Sequence, residues 1–316
     1  MRLRIATRGS ALALWQARHV AALLRQAARE EPGGTAGGDV EIDEVVVRTT
    51  GDVRRDVPIH EMGGQGVFVK EVQTAVLDGR ADLAVHSAKD LPPRPAPGLV
   101  LAAVPVRADP RDALVGAALA DLPAGARVAT GSVRRRAQLA WLRPDLTFVG
   151  LRGNIGTRIE RVGAEGADRV DAVVVAAAAL ERLDLADRAA EVLPVSALLP
   201  QVGQGALAVE CAEDARGSGD HAELLRLLAR IEDPGSRREV DAERAFLDTL
   251  GGGCELPVGA LARAAADGRT LSMEVMLASL DGRIVARHRC EGPAGRPEEL
   301  GRSAAGTLPA WSGTGT

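Results

Sequence analysis

Apolar and polar positions along this chain follow two rhythms, and the chain switches between them repeatedly. Leu3 to Thr7 is a short apolar run that reads as a buried strand. Arg8-Gly9-Ser10 turns the chain, and Ser10 is placed to cap a helix from Ala11 to Glu30. In that helix Leu12, Trp15, Val20, Leu23 and Leu24 are the apolar positions. Val40 to Arg48 is a second strand, and the order strand, helix, strand predicts a parallel sheet. A helix from Phe68 to Leu77 stops at Gly79. A strand from Asp82 to Ser87 leaves through Ala88-Lys89-Asp90-Leu91-Pro92-Pro93, and Leu99 to Val104 is another strand.

Asp109-Pro110-Arg111-Asp112 marks a change of register, after which the alternation restarts. Arg127 to Thr130 is a strand, Ser132 caps a helix from Val133 to Leu142, and Pro144 ends it. Thr147 to Leu151 is a strand, Gly153-Asn154 opens a helix, and Ala172 to Ala176 is a strand. Leu198 to Ala208, with the turn Gly203-Gln204-Gly205, is a crossover able to return the chain to its first domain. Helices follow at Glu223 to Ile231 and Arg237 to Leu250. Strands at Val258 to Ala264, Thr270 to Ala278 and Arg283 to Cys290, joined by Asp267-Gly268 and Asp281-Gly282 turns, make an antiparallel meander.

The predicted architecture is α/β. Two doubly wound α/β domains surround a cleft, and a small α+β domain carries a three-stranded antiparallel sheet. The expected boundaries are 1–105 completed by 200–220, then 106–199, then 221–316. Aromatics are only 2% of the chain, with no Tyr, so the core has to be built from Ala, Val and Leu. The net charge of −4 provides no global basic field and argues against a nucleic-acid partner. Three cysteines, Cys211, Cys254 and Cys290, with no CxxC spacing, speak against a disulfide framework and a zinc site and fit a reducing cytoplasm. Met1 runs straight into the first strand, so no export signal is expected, and no apolar run is long enough to span a bilayer.

Candidate chemistry lies where such folds bind ligands, at strand C-termini and helix N-termini. Arg8 follows the first strand, Arg134 and Arg135 lie in the first turn after Ser132, Arg152 ends a strand, and Arg158 and Arg182 follow. A cation at a helix N-terminus opposes the macrodipole, which makes sense when an anion is shared between them. The plain alternative is a solvated arginine-rich surface. No GxxxxGK[ST], GxGxxG or HExxH occurs, so phosphate loops, dinucleotide folds and metal sites are not indicated. Several separated arginines suit several carboxylates on one extended ligand.

Asp90, beside Lys89 and near Ser87, is the candidate acid; its alternative is a turn residue before Leu-Pro-Pro. Cys254 stands in Leu250-Gly251-Gly252-Gly253-Cys254-Glu255, either as a small filler or as a thiol presented on a glycine loop.

These residues fall in motifs that resemble the porphobilinogen deaminase family. The motifs are Ile5-Ala6-Thr7-Arg8-Gly9-Ser10, His86-Ser87-Ala88-Lys89-Asp90, Gly131-Ser132-Val133-Arg134-Arg135 and Leu151-Arg152-Gly153-Asn154-Ile155-Gly156-Thr157-Arg158. Val202-Gly203-Gln204-Gly205-Ala206 and Gly252-Gly253-Cys254 complete them, in the family's order, from about residue 3 to about residue 291. The resemblance implies a transferase that condenses four porphobilinogen molecules head to tail, releasing ammonia, to give hydroxymethylbilane. It implies a dipyrromethane cofactor joined by a thioether to Cys254. It also implies a catalytic role for Asp90, cofactor contacts from Lys89, Ser87, Thr130, Ser132, Arg134, Arg135 and Arg158, and substrate contacts from Arg8, Ser10, Phe68, Arg152 and Arg182. A cytoplasmic monomer with no metal, nucleic-acid or membrane partner is expected.

Some positions depart from the family's pattern. Glu61 and Gln65 replace loop lysines, Gly131-Ser132 stands for Ser-Ser, and Ala178-Ala179-Leu180 stands for Ala-Gly-Leu. The chain after Leu300 does not read as the family's closing helix, so a frayed end is expected. The competing class is a non-catalytic solute-binding protein of the same two-lobed, periplasmic-binding-protein-like architecture, which would need neither Asp90 nor Cys254.

Overall fold

The computed structural model describes residues 1–30, 40–49, 69–166, 169–213, 219–252 and 256–309. In chain order its elements are β1 (Arg2–Arg8), α1 (Ala11–Arg29), β2 (Glu41–Val47), α2 (Lys70–Leu77), β3 (Leu83–Ser87), β4 (Leu99–Ala103), β5 (Asp112–Val115) and β6 (Arg127–Ala129). There follow α3 (Val133–Leu142), β7 (Thr147–Val149), α4 (Ile155–Ile159), β8 (Ala172–Ala176), α5 (Ala177–Glu181), β9 (Ala189–Val192) and β10 (Leu207–Ala212). The last are α6 (Gly219–Ile231), α7 (Pro234–Thr249), β11 (Val258–Ala264), β12 (Thr270–Ala278), β13 (Val285–Pro293) and α8 (Pro297–Gly306). They form two units, Met1–Arg107 with Ala206–Arg237, and Ala108–Gly205 with Arg238 onward.

In the first unit five strands lie in the order β2-β1-β3-β10-β4. Period-two alternation decides which residues meet which helix. Leu3 and Ile5 of β1, Leu83 and Val85 of β3, and Leu207 and Val209 of β10 pack with Val20 and Leu24 of α1. Leu224, Leu227 and Leu228 of α6 join the same core. Ala6 and Ala84 face the other way, onto Val72, Ala75 and Val76 of α2. β1 runs parallel to β2 and β3, whereas β10 returns antiparallel to β3 and β4. The crossover before β10 does bring the chain back to the first sheet.

In the second unit the order is β7-β6-β8-β5-β9. Here β6 is parallel to β7 and β8, but β5 is antiparallel to both of its neighbours. Both five-stranded sheets are therefore mixed, and β5 and β9 are strands that the pattern of the chain did not predict. Leu114, Val128 and Val174 cover α3 through Leu139, while Val115, Ala129 and Val173 cover Ile159 and Leu180. The meander β11-β12-β13 is antiparallel as expected. Its Ala260, Met273 and Val275 pack on Ala242 and Phe246 of α7 and on Leu300 and Ala304 of α8. The aromatic-poor core is as composition demands.

The frayed end is corrected by α8. Pro297 starts this helix, Glu298 and Glu299 occupy its first turn, and Leu300, Ala304 and Ala305 are buried. Helix α7 begins before the expected Arg237, because Asp233 accepts the Ser236 N–H at 2.7 Å just ahead of Pro234. Among the described residues no helix is long and apolar enough to cross a membrane.

Candidate functional site

Within the first unit, β1 and β3 are parallel neighbours, so their C-terminal ends lie side by side. Arg8 ends one, and Ser87 ends the other. Ser10 caps α1, its Oγ accepting the Ala13 N–H at 3.2 Å. Lys89 and Asp90 occupy a single 3-10 turn, Ala88–Asp90, held by the Ala88 N–H bond to Ala206 O at 3.0 Å. Asp90 is half-buried and has no hydrogen bond or ion pair among the described residues.

Beneath this edge lies a buried polar cluster that sequence reasoning missed. His86 Nε2 stands 3.1 Å from Glu210 Oε2, and Gln73 Nε2 donates to both Glu210 carboxylate oxygens at 3.1 and 2.9 Å. It ties α2 and β10 to the strand that ends at Ser87. The clue available in the sequence was a histidine and a glutamate inside apolar strands, where each needs a partner.

Within the second unit, Ser132 caps α3, its Oγ accepting the Arg135 N–H at 3.4 Å, and Thr130 Oγ1 accepts the Ser132 N–H at 3.2 Å. Asn154 caps α4 in the same way, accepting the Thr157 N–H at 3.0 Å. Arg158 donates Nε to Gly153 O at 2.7 Å. Arg152 is half-buried and without a partner among the described residues. Arg182 is only 6% exposed and donates Nη2 to Gly205 O at 2.7 Å. Burial lowers its pKa to about 10, against the charge of Glu181, so it stays a cation at neutral pH. Gly205 has φ +86°, and a Cβ there would stand 2.5 Å from Ala108 O, so the turn that carries this carbonyl needs glycine.

Arg134 and Arg135 lie inside the unit, at 3% and 7% exposure, and share Asp112, which is fully buried. Arg134 Nη2 reaches Asp112 Oδ2 at 2.8 Å, and Arg135 Nη2 reaches Oδ1 at 2.6 Å. Gln204 Nε2 adds a bond to Oδ1 at 2.8 Å. Burial alone would raise the Asp112 pKa. The charges of Arg134 and Arg135, with hydrogen bonds from Arg135 and Gln204, outweigh it and bring the pKa down to about 2.

A carboxyl depressed in the fold contributes stability above its unfolded pKa and loses it as pH falls through the folded value. The gap in unfolding free energy between wild type and Asp112→Asn is thus expected to be full above about pH 4. It should narrow by about 2 kcal/mol by pH 2, as read from urea unfolding across that range. A gap independent of pH would contradict the depressed pKa. Asp112 was legible only as a turn residue before Ala113-Leu114-Val115; an acid entering so apolar a run was the signal for a buried ion pair.

The second unit also has a recess lined by Ser132, Arg134, Gln201, Leu247, Leu256 and Val258. Two of these residues closely follow Cys254 in the chain. Gly252, just before it, is buried, and a Cβ there would stand 2.0 Å from Leu256 Cδ1. The two ends of the glycine loop therefore close on each other only because no side chain intervenes. Cys254 and Phe68 themselves lie outside the described residues, as do Glu61 and Gln65.

These features suit a bound carboxylate. Two guanidiniums face one buried carboxylate, which leaves a surplus positive charge at a helix N-terminus. Arg134 Nε is buried with no hydrogen-bond partner among the described residues.

Comparison with known proteins agrees with the motifs. Residues 3–218 match the family described as Porphobilinogen deaminase, dipyromethane cofactor binding domain. Residues 237–310 match Porphobilinogen deaminase, C-terminal domain. The porphobilinogen deaminase of Syntrophus aciditrophicus is 45% identical over 309 residues, covering 97% of this chain and 94% of that protein. That of Roseiflexus castenholzii is 47% identical over 309 residues, covering 97% and 95%. Among solved structures, the substrate binding protein of a methionine transporter from Streptococcus pneumoniae aligns with a TM-score of 0.40 and 14% identity over 73% of this chain and 88% of that one. The family models and the relatives, spanning nearly the whole length, show that this chain belongs to the porphobilinogen deaminase family, enzymes of tetrapyrrole synthesis.

Proposed function

We propose that this chain condenses four porphobilinogen molecules head to tail into hydroxymethylbilane, with a dipyrromethane primer held by a thioether to Cys254. The observation that carries the reading is the recess beside Leu256 and Val258. It sits against a buried arginine with an unsatisfied N–H and an uncompensated positive charge. When bound, the dipyrromethane supplies the terminal pyrrole carbon onto which the first porphobilinogen is joined.

The chain's own residues do the rest. Arg134, with Arg135 behind it in the buried network, and Ser132 and Thr130 at the start of α3 hold the cofactor's carboxylates, joined by Arg158, Lys89 and Ser87. Arg8, Ser10, Arg152 and Arg182 hold the acetate and propionate groups of incoming substrate, and Phe68 packs against pyrrole. Asp90 gives a proton to the leaving amine, and its carboxylate balances the positive charge that develops on the substrate ring. Its lack of any partner among the described residues leaves both oxygens available for that work.

The other cysteines support Cys254 by contrast. Burial, then the charge of Glu210, pushes the Cys211 thiol up to about 11, and burial raises Cys290. Neither supplies thiolate at neutral pH.

A cytoplasmic monomer is part of this proposal, as are three domains, 1–105 with 200–220, 106–199 and 221–316. Three separate sheets support the division, and the packing of α6 on the first sheet favours beginning the third domain at α7.

Incubating the purified chain with porphobilinogen tests the reaction. Hydroxymethylbilane should appear by mass spectrometry with four ammonia released for each molecule formed. Porphobilinogen bound and recovered unchanged would show a binding protein instead.

A further inference from the structure

The two adjacent arginines of α3 are not equivalent. Arg135 gives Nε and Nη2 to Asp112 Oδ1 at 3.0 and 2.6 Å, Nη1 to Val174 O at 3.0 Å, and Nη2 also to Gln204 Oε1 at 3.4 Å. A guanidinium owns five N–H bonds, so Arg135 is nearly fully committed to the interior. Arg134 gives Nη2 to Asp112 Oδ2 at 2.8 Å and Nη1 to Leu199 O at 2.6 Å, while its Nε has no partner among the described residues. A buried donor without a partner carries its full desolvation penalty, so the position is built to receive an acceptor. Of the pair, Arg134 lines the recess beside Leu256 and Val258, and Arg135 does not. Asp112 turns one oxygen to each arginine and is itself 0% exposed.

We infer that Asp112 is a positioning residue. It locks Arg135 into the fold and sets the guanidinium of Arg134, which alone of the two donates to a carboxylate of the bound dipyrromethane. This rests on the proposed attachment at Cys254. Asp112 acts through Arg134 and does not itself touch the ligand. The neighbouring Gln204 strengthens the lock from the opposite side, bonding Pro110 O and Asp112 Oδ1, both at 2.8 Å.

The test separates loading from stability. Wild type, Arg134→Gln, Arg135→Gln and Asp112→Asn are prepared without cofactor and incubated with porphobilinogen well below every melting temperature. Intact mass then gives the rate at which the two-pyrrole adduct appears, and thermal melting gives stability. All three variants should melt lower than wild type, because each breaks the buried network. Arg134→Gln and Asp112→Asn should load about tenfold or more slowly, the loss of a charge-assisted hydrogen bond. Arg135→Gln should load close to the wild-type rate despite its lower melting temperature. If Arg135→Gln does not fold, Arg135→Lys, which keeps a cation beside Asp112, is expected to give the same result. Loading that falls with melting temperature across all variants would make Asp112 merely structural. Loading lost equally in the Arg134 and Arg135 variants would overturn the division. Wild type that takes up no adduct would instead remove the attachment at Cys254.

Discussion

Cys254→Ser is expected to yield a folded chain of unmodified mass whose turnover of porphobilinogen falls by on the order of 10³ or more, at least about 4 kcal/mol of barrier lowering. The chemistry needs sulfur. A thiolate is accessible near neutral pH and makes a stable thioether, whereas a serine hydroxyl is a weak nucleophile without an adjacent base. Folding should survive the change, because the loop closes through Gly252 against Leu256 on either side of the cysteine. Cys211 is wholly buried with its pKa raised to about 11, so it offers no substitute thiol. Intact mass of freshly purified wild type should show two added pyrrole units, and peptide mapping should place them on Cys254. An adduct on Cys290, or full activity in the serine variant, would sink the assignment.

Asp90→Asn is the second large effect. The amide has nearly the same shape as the carboxyl. Asp90 makes no bond to a described residue, and its 3-10 turn is held by the backbone of Ala88 and Ala206. Melting temperature and cofactor loading should therefore stay at wild-type values. What the amide lacks is a proton to give and a charge to balance, and kcat should fall by roughly 10²–10⁴, the usual contribution of a positioned acid or base. A loss below about tenfold would assign proton transfer to another group. Because substrate binding depends on the arginines, KM should change far less than kcat, and steady-state kinetics on the loaded variant separates the two.

Much of this protein could be read from neighbours in the chain. Ser10, Ser132 and Asn154 cap the helices they precede, and the apolar rhythm that follows each is set by residues three and four apart. The meander β11-β12-β13 announces itself through alternation and two Asp-Gly turns. The motifs around Arg8, Asp90, Arg134, Arg152, Gln204 and Cys254 were likewise local, and they were enough to reach the family.

The tertiary structure decided what depends on distant residues. Strand direction is one case. β5 pairs antiparallel with β8, some sixty residues later, and nothing within Asp112–Val115 encodes that choice. Helix α8 is another, since its Leu300 and Ala304 are apolar enough only in company with α7 and the meander. The roles of Arg134 and Arg135 are the third. Read locally, they are twin cations on one helical turn. In the fold, a carboxylate twenty-two residues before one of them and a glutamine sixty-nine after the other take up one guanidinium and leave the other with an N–H to give. Local periodicity is set by backbone geometry over a few residues, whereas a buried charge is satisfied by whichever partner the chain brings to it, and only the folded chain names that partner.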